Sequence, residues 1–247
     1  MSRYHFSIDD VAKALIEASD RGSGLFAHPF FGFLEQMHDA FGTRMDLYLF
    51  ERTEVAGWVR SLAEVSDALR EDFARADWIR LGPHAKDHAT PPYAQTPEDQ
   101  IAVFASIFGE IDRFAGVERR SKWVRLHYFS ETYAAAQHLK DAGVEVLLLT
   151  DKEVGAYHLE EAARLELRDQ GRIGHAGLEL ARSHLRVETL IGPDWPWPKV
   201  QAALEAPLQR HGYLSLFTHE CELDRPEVQT RMRECLAWLS SQSLVST

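Results

Sequence analysis

Residues 131–150 read ETYAAAQHLKDAGVEVLLLT, and the fold class turns on this stretch. Its first part has helical spacing and stops at Gly143, a residue suited to a helix C-terminus. The run VEVLLLT at 144–150 that follows is continuously apolar, the pattern of a parallel strand covered on both faces. A helix feeding a doubly covered strand is half of a βαβ unit, so the flanking sequence should repeat the alternation.

It does so in both directions. Toward the N-terminus, RYHFSI (3–8), MDLYLF (45–50), WIRLG (78–82) and KWVRLHYF (122–129) read as strands. Between them, VAKALIEAS (11–19), PFFGFLEQMHDAFG (29–42), SLAEVSDALREDFARA (61–76) and PEDQIAVFASIFGEIDRF (97–114) carry helical spacing. Pro97 stands at a favoured helix start and Gly42 at a favoured end. From Lys152 to about Pro198 the rhythm breaks: GRIGHAGLELARSHLRVE (171–188) reads as a hairpin or meander, and PDWPWP (193–198) as loop. Trp195 and Trp197 there read as gap fillers between loops or as aromatics that stack on a sugar. The rhythm resumes with a helix at 197–212, the strand GYLSLFTH (212–219) and a last helix starting at Pro226. The pattern predicts an α/β fold with a parallel sheet or a (β/α) barrel, in which active sites gather at the C-terminal ends of the strands.

The 247 residues suffice for one well-filled core, and a single domain over 1–247 is expected. A formal charge of -11 with no basic stripe disfavours nucleic acid as a partner. Charges interrupt every apolar run of the N-terminal MSRYHFSIDDVAKALIEASDRG, so no signal-peptide core is seen, and no stretch approaches the roughly 20 apolar residues of a membrane span. Two cysteines, Cys221 and Cys235, are too few for a disulfide framework. A cytoplasmic location is expected, and an oligomer stays open.

The polar residues stand where such a fold places chemistry. Asp9 and Asp10, His84, Arg125 with His127, Asp151, and His219 with Glu220 each end or follow a predicted strand. His84 and His88 lie four apart in H-A-K-D-H, so one helical turn would put both rings on one face. With a carboxylate from Asp10 they would make a two-His, one-carboxylate site with a position left for water. Each element also has a duller explanation. Histidines four apart occur by chance among twelve, paired acids cap helices, His127 suits a satisfied core position, and Arg125 suits an ordinary ion pair. Consecutive strand residues point to opposite faces, so both aspartates can face one pocket only if the strand ends there.

The joint order S-I-D-D, H-x-x-x-H, R-L-H-Y and L-F-T-H, over residues 6–220, resembles the motif series of the polysaccharide deacetylase family, the NodB-like carbohydrate esterases. Three departures mark a divergent branch: Ala85 follows His84 in place of Ser or Thr, His127 stands for the motif's proline, and Thr218 for its last leucine. The resemblance implies a distorted seven-stranded NodB-like barrel, here with a small β-hairpin insertion, and one divalent metal ion, with zinc as the expected metal. It makes Asp9 the general base, with Asp10, His84 and His88 as metal ligands and His219 as general acid. Arg125 would orient Asp9, Tyr128 would offer a backbone amide to the oxyanion, and Asp151 would pair with His219. The activity implied is metal-dependent deacetylation of an N- or O-acetylated sugar or related small molecule. Hydrolysis of a non-sugar C–N bond on the same scaffold is an alternative, as is a catalytically silent carbohydrate-binding protein.

Overall fold

The computed structural model describes residues 3–130, 135–152, 159–175, 177–242 and 244–247. The first part of the chain runs β1 (Arg3–Val11), α1 (Lys13–Arg21), α2 (Pro29–Phe41), β2 (Met45–Phe50), β3 (Arg52–Val55), β4 (Trp58–Ser61), α3 (Arg70–Arg75) and β5 (Ile79–Ala85). It continues with α4 (Pro97–Phe114), β6 (Trp123–Val124), α5 (Ala136–Asp141), β7 (Val146–Leu149), α6 (Glu161–Gln170), β8 (Arg172–His175), β9 (Leu178–Arg182) and β10 (Leu185–Arg186). It closes with α7 (Trp197–His211), β11 (Tyr213–His219), α8 (Pro226–Ser241) and β12 (Val245–Ser246).

The expected α/β architecture is present, with its strands in two larger sheets. One has the parallel order β10-β11-β1-β2-β5, with β12 beside the start of β1. The other runs β6-β7-β9-β8, parallel except for β8 on β9. Two seams stitch them. At one, Ser121 N–H donates to the Leu81 carbonyl at 2.7 Å. At the other the chain crosses from β9 to β10, where Ser183 N–H reaches Leu149 O at 2.7 Å and His184 N–H reaches Ser215 O at 3.1 Å.

Period-2 alternation explains what each strand face does. Phe6 and Ile8 of β1, Leu47 and Leu49 of β2, and Leu214 and Leu216 of β11 are buried in one large apolar core with α1, α2, α4 and α8. The alternate residues Ser7, Asp9, Asp46, Tyr48 and Ser215 are buried too, on the other face, and they carry the polar groups. Both faces are thus covered, as a parallel sheet requires.

The hairpin expected within 171–188 is β8–β9. A second hairpin, β3–β4, was not anticipated. Residues 61–76 form two 3-10 turns (Leu62–Glu64 and Asp67–Leu69) before the short α3, because the Ser61–Glu64 capping box and the Ser66 side chain interrupt one continuous helix. KWVRLHYF is a strand only at Trp123–Val124; His127–Phe129 is a 3-10 turn, with Tyr128 at φ 55°. Among the described residues no helix is long and apolar enough to cross a membrane.

Candidate functional site

Asp9 and Asp10 do face one pocket, and the backbone shows how. β1 does not stop before them. Between Ile8 and Val11 its pairing with β2 slips by one residue, a β-bulge, and Asp10 adopts φ 62°. A non-glycine residue in this left-handed region costs about 1–2 kcal/mol. That conformation turns a carboxylate that regular pleating would send to the opposite face. Capping does not explain the pair, since the first amides of α1 are capped by Glu220, which accepts from Ala12 N–H at 2.9 Å and Ala14 N–H at 3.1 Å. Burial pushes the Glu220 carboxyl up to about 7.

Asp9 is buried against Arg125, whose Nη1 donates to Asp9 Oδ1 at 2.9 Å and to Ser7 Oγ at 2.8 Å. Arg125 also donates to Ser183 and Ser215 and lies 3.9 Å over the Phe217 ring. Every side of this buried guanidinium is therefore held.

Asp10, His84 and His127 form a tight triangle. His84 Nε2 is 3.0 Å from Asp10 Oδ1, His127 Nδ1 is 3.4 Å from the same oxygen, and the two ring nitrogens are 3.2 Å apart. The other nitrogen of each ring meets a carbonyl: His84 Nδ1 is 2.6 Å from Arg125 O, and His127 Nε2 is 3.1 Å from His88 O. A carbonyl can only accept, so those nitrogens carry the protons, and in neutral rings the inward nitrogens are bare. Three lone-pair atoms then point at one another, an arrangement that a cation between them would satisfy. The spacing agrees: tetrahedral ligands with bonds of roughly 2.0–2.1 Å stand about 3.3 Å apart. Backbone carbonyls that fix the ring tautomers are the usual outer partners of metal-binding histidines. Burial would raise the Asp10 carboxyl, but a proton taken up between it and His127 or His84 in place of a cation outweighs burial and keeps Asp10 well below the ordinary carboxylate range.

The triangle alters the expected ligand set. No helical turn joins His84 to His88: His84 is buried in β5, whereas His88 is exposed in the following turn. His88 contributes its carbonyl to His127, and the third inward nitrogen comes from His127. The residue that departs from the family's proline thus faces the cluster.

His219 ends β11, and its Nδ1 lies 2.5 Å from Glu188 Oε1. Glu188 also accepts from Thr218 Oγ1 at 2.9 Å. Burial disfavours the imidazolium, but the Glu188 hydrogen bond and the charges of Asp9, Glu188 and Asp10 prevail, and the His219 pKa is raised. The expected pairing of His219 with Asp151 is not made. Asp151 binds Arg182 Nε at 2.9 Å and lines a different cavity. Glu188 follows the two-residue β10, where no local sequence pattern marks it.

Asp9, Asp10, His84, His88, Arg125, Tyr128 and His219 line one cavity of about 200 Å³. Of the residues to which the family resemblance gives a role, Asp151 alone is outside it. Phe129 and Arg186 also line this cavity, and they are shared with a larger neighbour of about 590 Å³. Non-glycine residues with positive φ gather here: Asp10, Tyr128 and Phe129 are three of the four among the described residues.

No family model matches the chain. No curated protein matches it. Solved structures do. A protein assigned as a polysaccharide deacetylase from Mycobacterium smegmatis superposes with a TM-score of 0.61 at 14% identity, over 99% of this chain and 86% of that one. The catalytic domain of a peptidoglycan N-acetylglucosamine deacetylase from Eubacterium rectale gives 0.51 at 9% identity, over 100% and 89%. A 4-alpha-glucanotransferase from Thermococcus litoralis gives 0.57 at 12% identity, over 99% of this chain but only 37% of that enzyme. At these identities the likenesses show the fold alone: the chain shares the fold of the polysaccharide deacetylases.

Proposed function

We propose that the chain is a metal-dependent hydrolase that removes an acyl group from an N- or O-acetylated sugar or a related small molecule. Fold likeness does not choose this reaction, since a glucanotransferase is also among the similar structures. The observation that supports it is the convergence of Asp10 Oδ1, His84 Nε2 and His127 Nδ1 beside a second, arginine-bound aspartate.

These three residues would hold one divalent ion, with zinc suited to two imidazoles and a carboxylate. When bound, such an ion lowers the pKa of water from 15.7 toward roughly 7 and polarises the acyl carbonyl. The rest falls to the chain. Asp9, oriented by Arg125, takes the proton of the attacking water as the water oxygen bonds to the acyl carbon. His219, aimed by Glu188, whose hydrogen bond favours the imidazolium, gives its proton to the amine or alcohol as the C–N or C–O bond breaks. The products are a carboxylic acid and the freed amine or hydroxyl. Separate acid and base allow both proton transfers in one site.

The test is hydrolysis of 4-nitrophenyl acetate and N-acetylglucosamine oligomers by zinc-loaded protein, beside His84→Ala. Turnover in the wild type and its loss in the variant are expected; equal turnover in both would overturn the reading.

A further inference from the structure

The cavity of about 590 Å³ beside the site differs from its surroundings in charge. Its described lining residues include three cations, Lys152, Arg182 and Arg186, against one carboxylate, Asp151, in a chain whose formal charge is -11. Asp151 is taken up by Arg182 at 2.9 Å. His184 in the same wall adds no charge, because burial and the neighbouring Arg182 hold it neutral, with a pKa down to about 2.

Arg186 is the charged residue that, with Phe129, joins the two cavities. It lines both, and its guanidinium lies 5.4 Å over the Phe217 ring, which also faces the larger cavity. Among the described residues the carboxylate within reach of Arg186 is Glu188, 3.6 Å from Nε, and that carboxylate already accepts from His219 and Thr218. An arginine with a loose partner, stacked on an aromatic ring and 41% exposed, can present its planar fork to an incoming anion. Thr189 and Ser183 add hydroxyl groups, and Trp195 adds a flat apolar wall.

We infer that the larger cavity is a subsite for an anionic group, a phosphate ester or a carboxylate, carried by the same molecule whose acyl group enters the smaller cavity, and that Arg186 is its principal contact. This deepens the hydrolase reading and rests on it for the position of the acyl group. A neutral polysaccharide offers no charge to the Arg186 fork, whereas an anionic sugar would match it. Arg186, two residues before Glu188, would also couple occupancy of the subsite to the carboxylate that aims His219.

The test is calorimetric binding to the zinc-loaded protein of N-acetylglucosamine, N-acetylglucosamine 6-phosphate and N-acetylmuramic acid, repeated with Arg186→Gln and Arg186→Lys. At least one anionic probe should bind about tenfold or more tighter than the neutral sugar, as expected for a charge-assisted hydrogen bond. Whether the phosphate or the carboxylate is preferred identifies the source of the charge. Arg186→Gln should reduce the preference to within about twofold, and Arg186→Lys should restore part of it. Equal binding of all three probes, no binding of any, or an undiminished preference in Arg186→Gln would overturn the inference. Binding is read without turnover, so an anion preference that persists in a protein unable to hydrolyse would uphold the subsite and count against the hydrolytic reading alone.

Discussion

His84 Nε2 stands 3.0 Å from Asp10 Oδ1 while the opposite nitrogen of the same ring is committed to the Arg125 carbonyl at 2.6 Å. The ring is therefore locked with its bare nitrogen toward a carboxylate. In a neutral ring this contact is unfavourable, and a cation or an added proton between the two atoms reverses its sign. The locked tautomer can be read directly: nitrogen NMR of the metal-free protein above neutral pH should show the neutral His84 ring protonated at Nδ1 and bare at Nε2; a proton on Nε2 of the neutral ring would contradict it.

The left-handed backbone at Asp10 gives a stability prediction independent of metal. Asp10→Ala and Asp10→Gly both lose the carboxylate and differ mainly in their tolerance of φ 62°. Asp10→Gly should be more stable than Asp10→Ala by about 1 kcal/mol in urea unfolding. Equal midpoints would mean that the bulge relaxes when the carboxylate is gone.

Arg125 and Asp9 are both buried, so removing one strands the other. Arg125→Met is expected to cost about 3–5 kcal/mol of unfolding free energy, and Asp9→Asn in the same chain should recover part of it. Additive losses in the double variant would show that the pair is not coupled.

Glu188 controls the alkaline side of the pH profile. The folded pKa of His219 is raised, so its imidazolium survives above the ordinary histidine range and is lost as pH rises through that higher value. Turnover that needs His219 as an acid falls in the same window. Glu188→Gln removes a raising contribution, so the alkaline fall should move to lower pH and kcat should drop by about 10-fold or more. An unchanged alkaline limb would detach Glu188 from the acid.

Much of this site was legible in the sequence because polar residues at the ends of apolar strands stand out against the alternation around them. Asp9, Asp10, His84, Arg125 and His219 were visible for that reason, and the cavity they share follows from parallel strands presenting their ends together. His127 stands with Arg125 at a strand end but suits a core position because KWVRLHYF continues a strand pattern, and only the turn at His127–Phe129 swings its ring toward Asp10. The four-residue spacing of His84 and His88 misled because it presumes a helical turn where β5 runs on to Ala85. Glu188 meets His219 across 31 residues of chain, a distance over which periodicity carries no information. The β3–β4 hairpin escaped since Ala56 stands, at φ 52°, where Asn or Gly usually announces a tight turn.

Asp10, His84 and His127 as a metal cradle can be checked by calorimetric titration of zinc into the metal-free wild type, His127→Ala and His88→Ala. Expected are one ion per chain in the wild type, a loss of affinity beyond about 100-fold in His127→Ala, and near wild-type binding in His88→Ala, since the backbone carbonyl of residue 88 remains. Undiminished binding in His127→Ala together with its loss in His88→Ala, or no binding by the wild type, would contradict it.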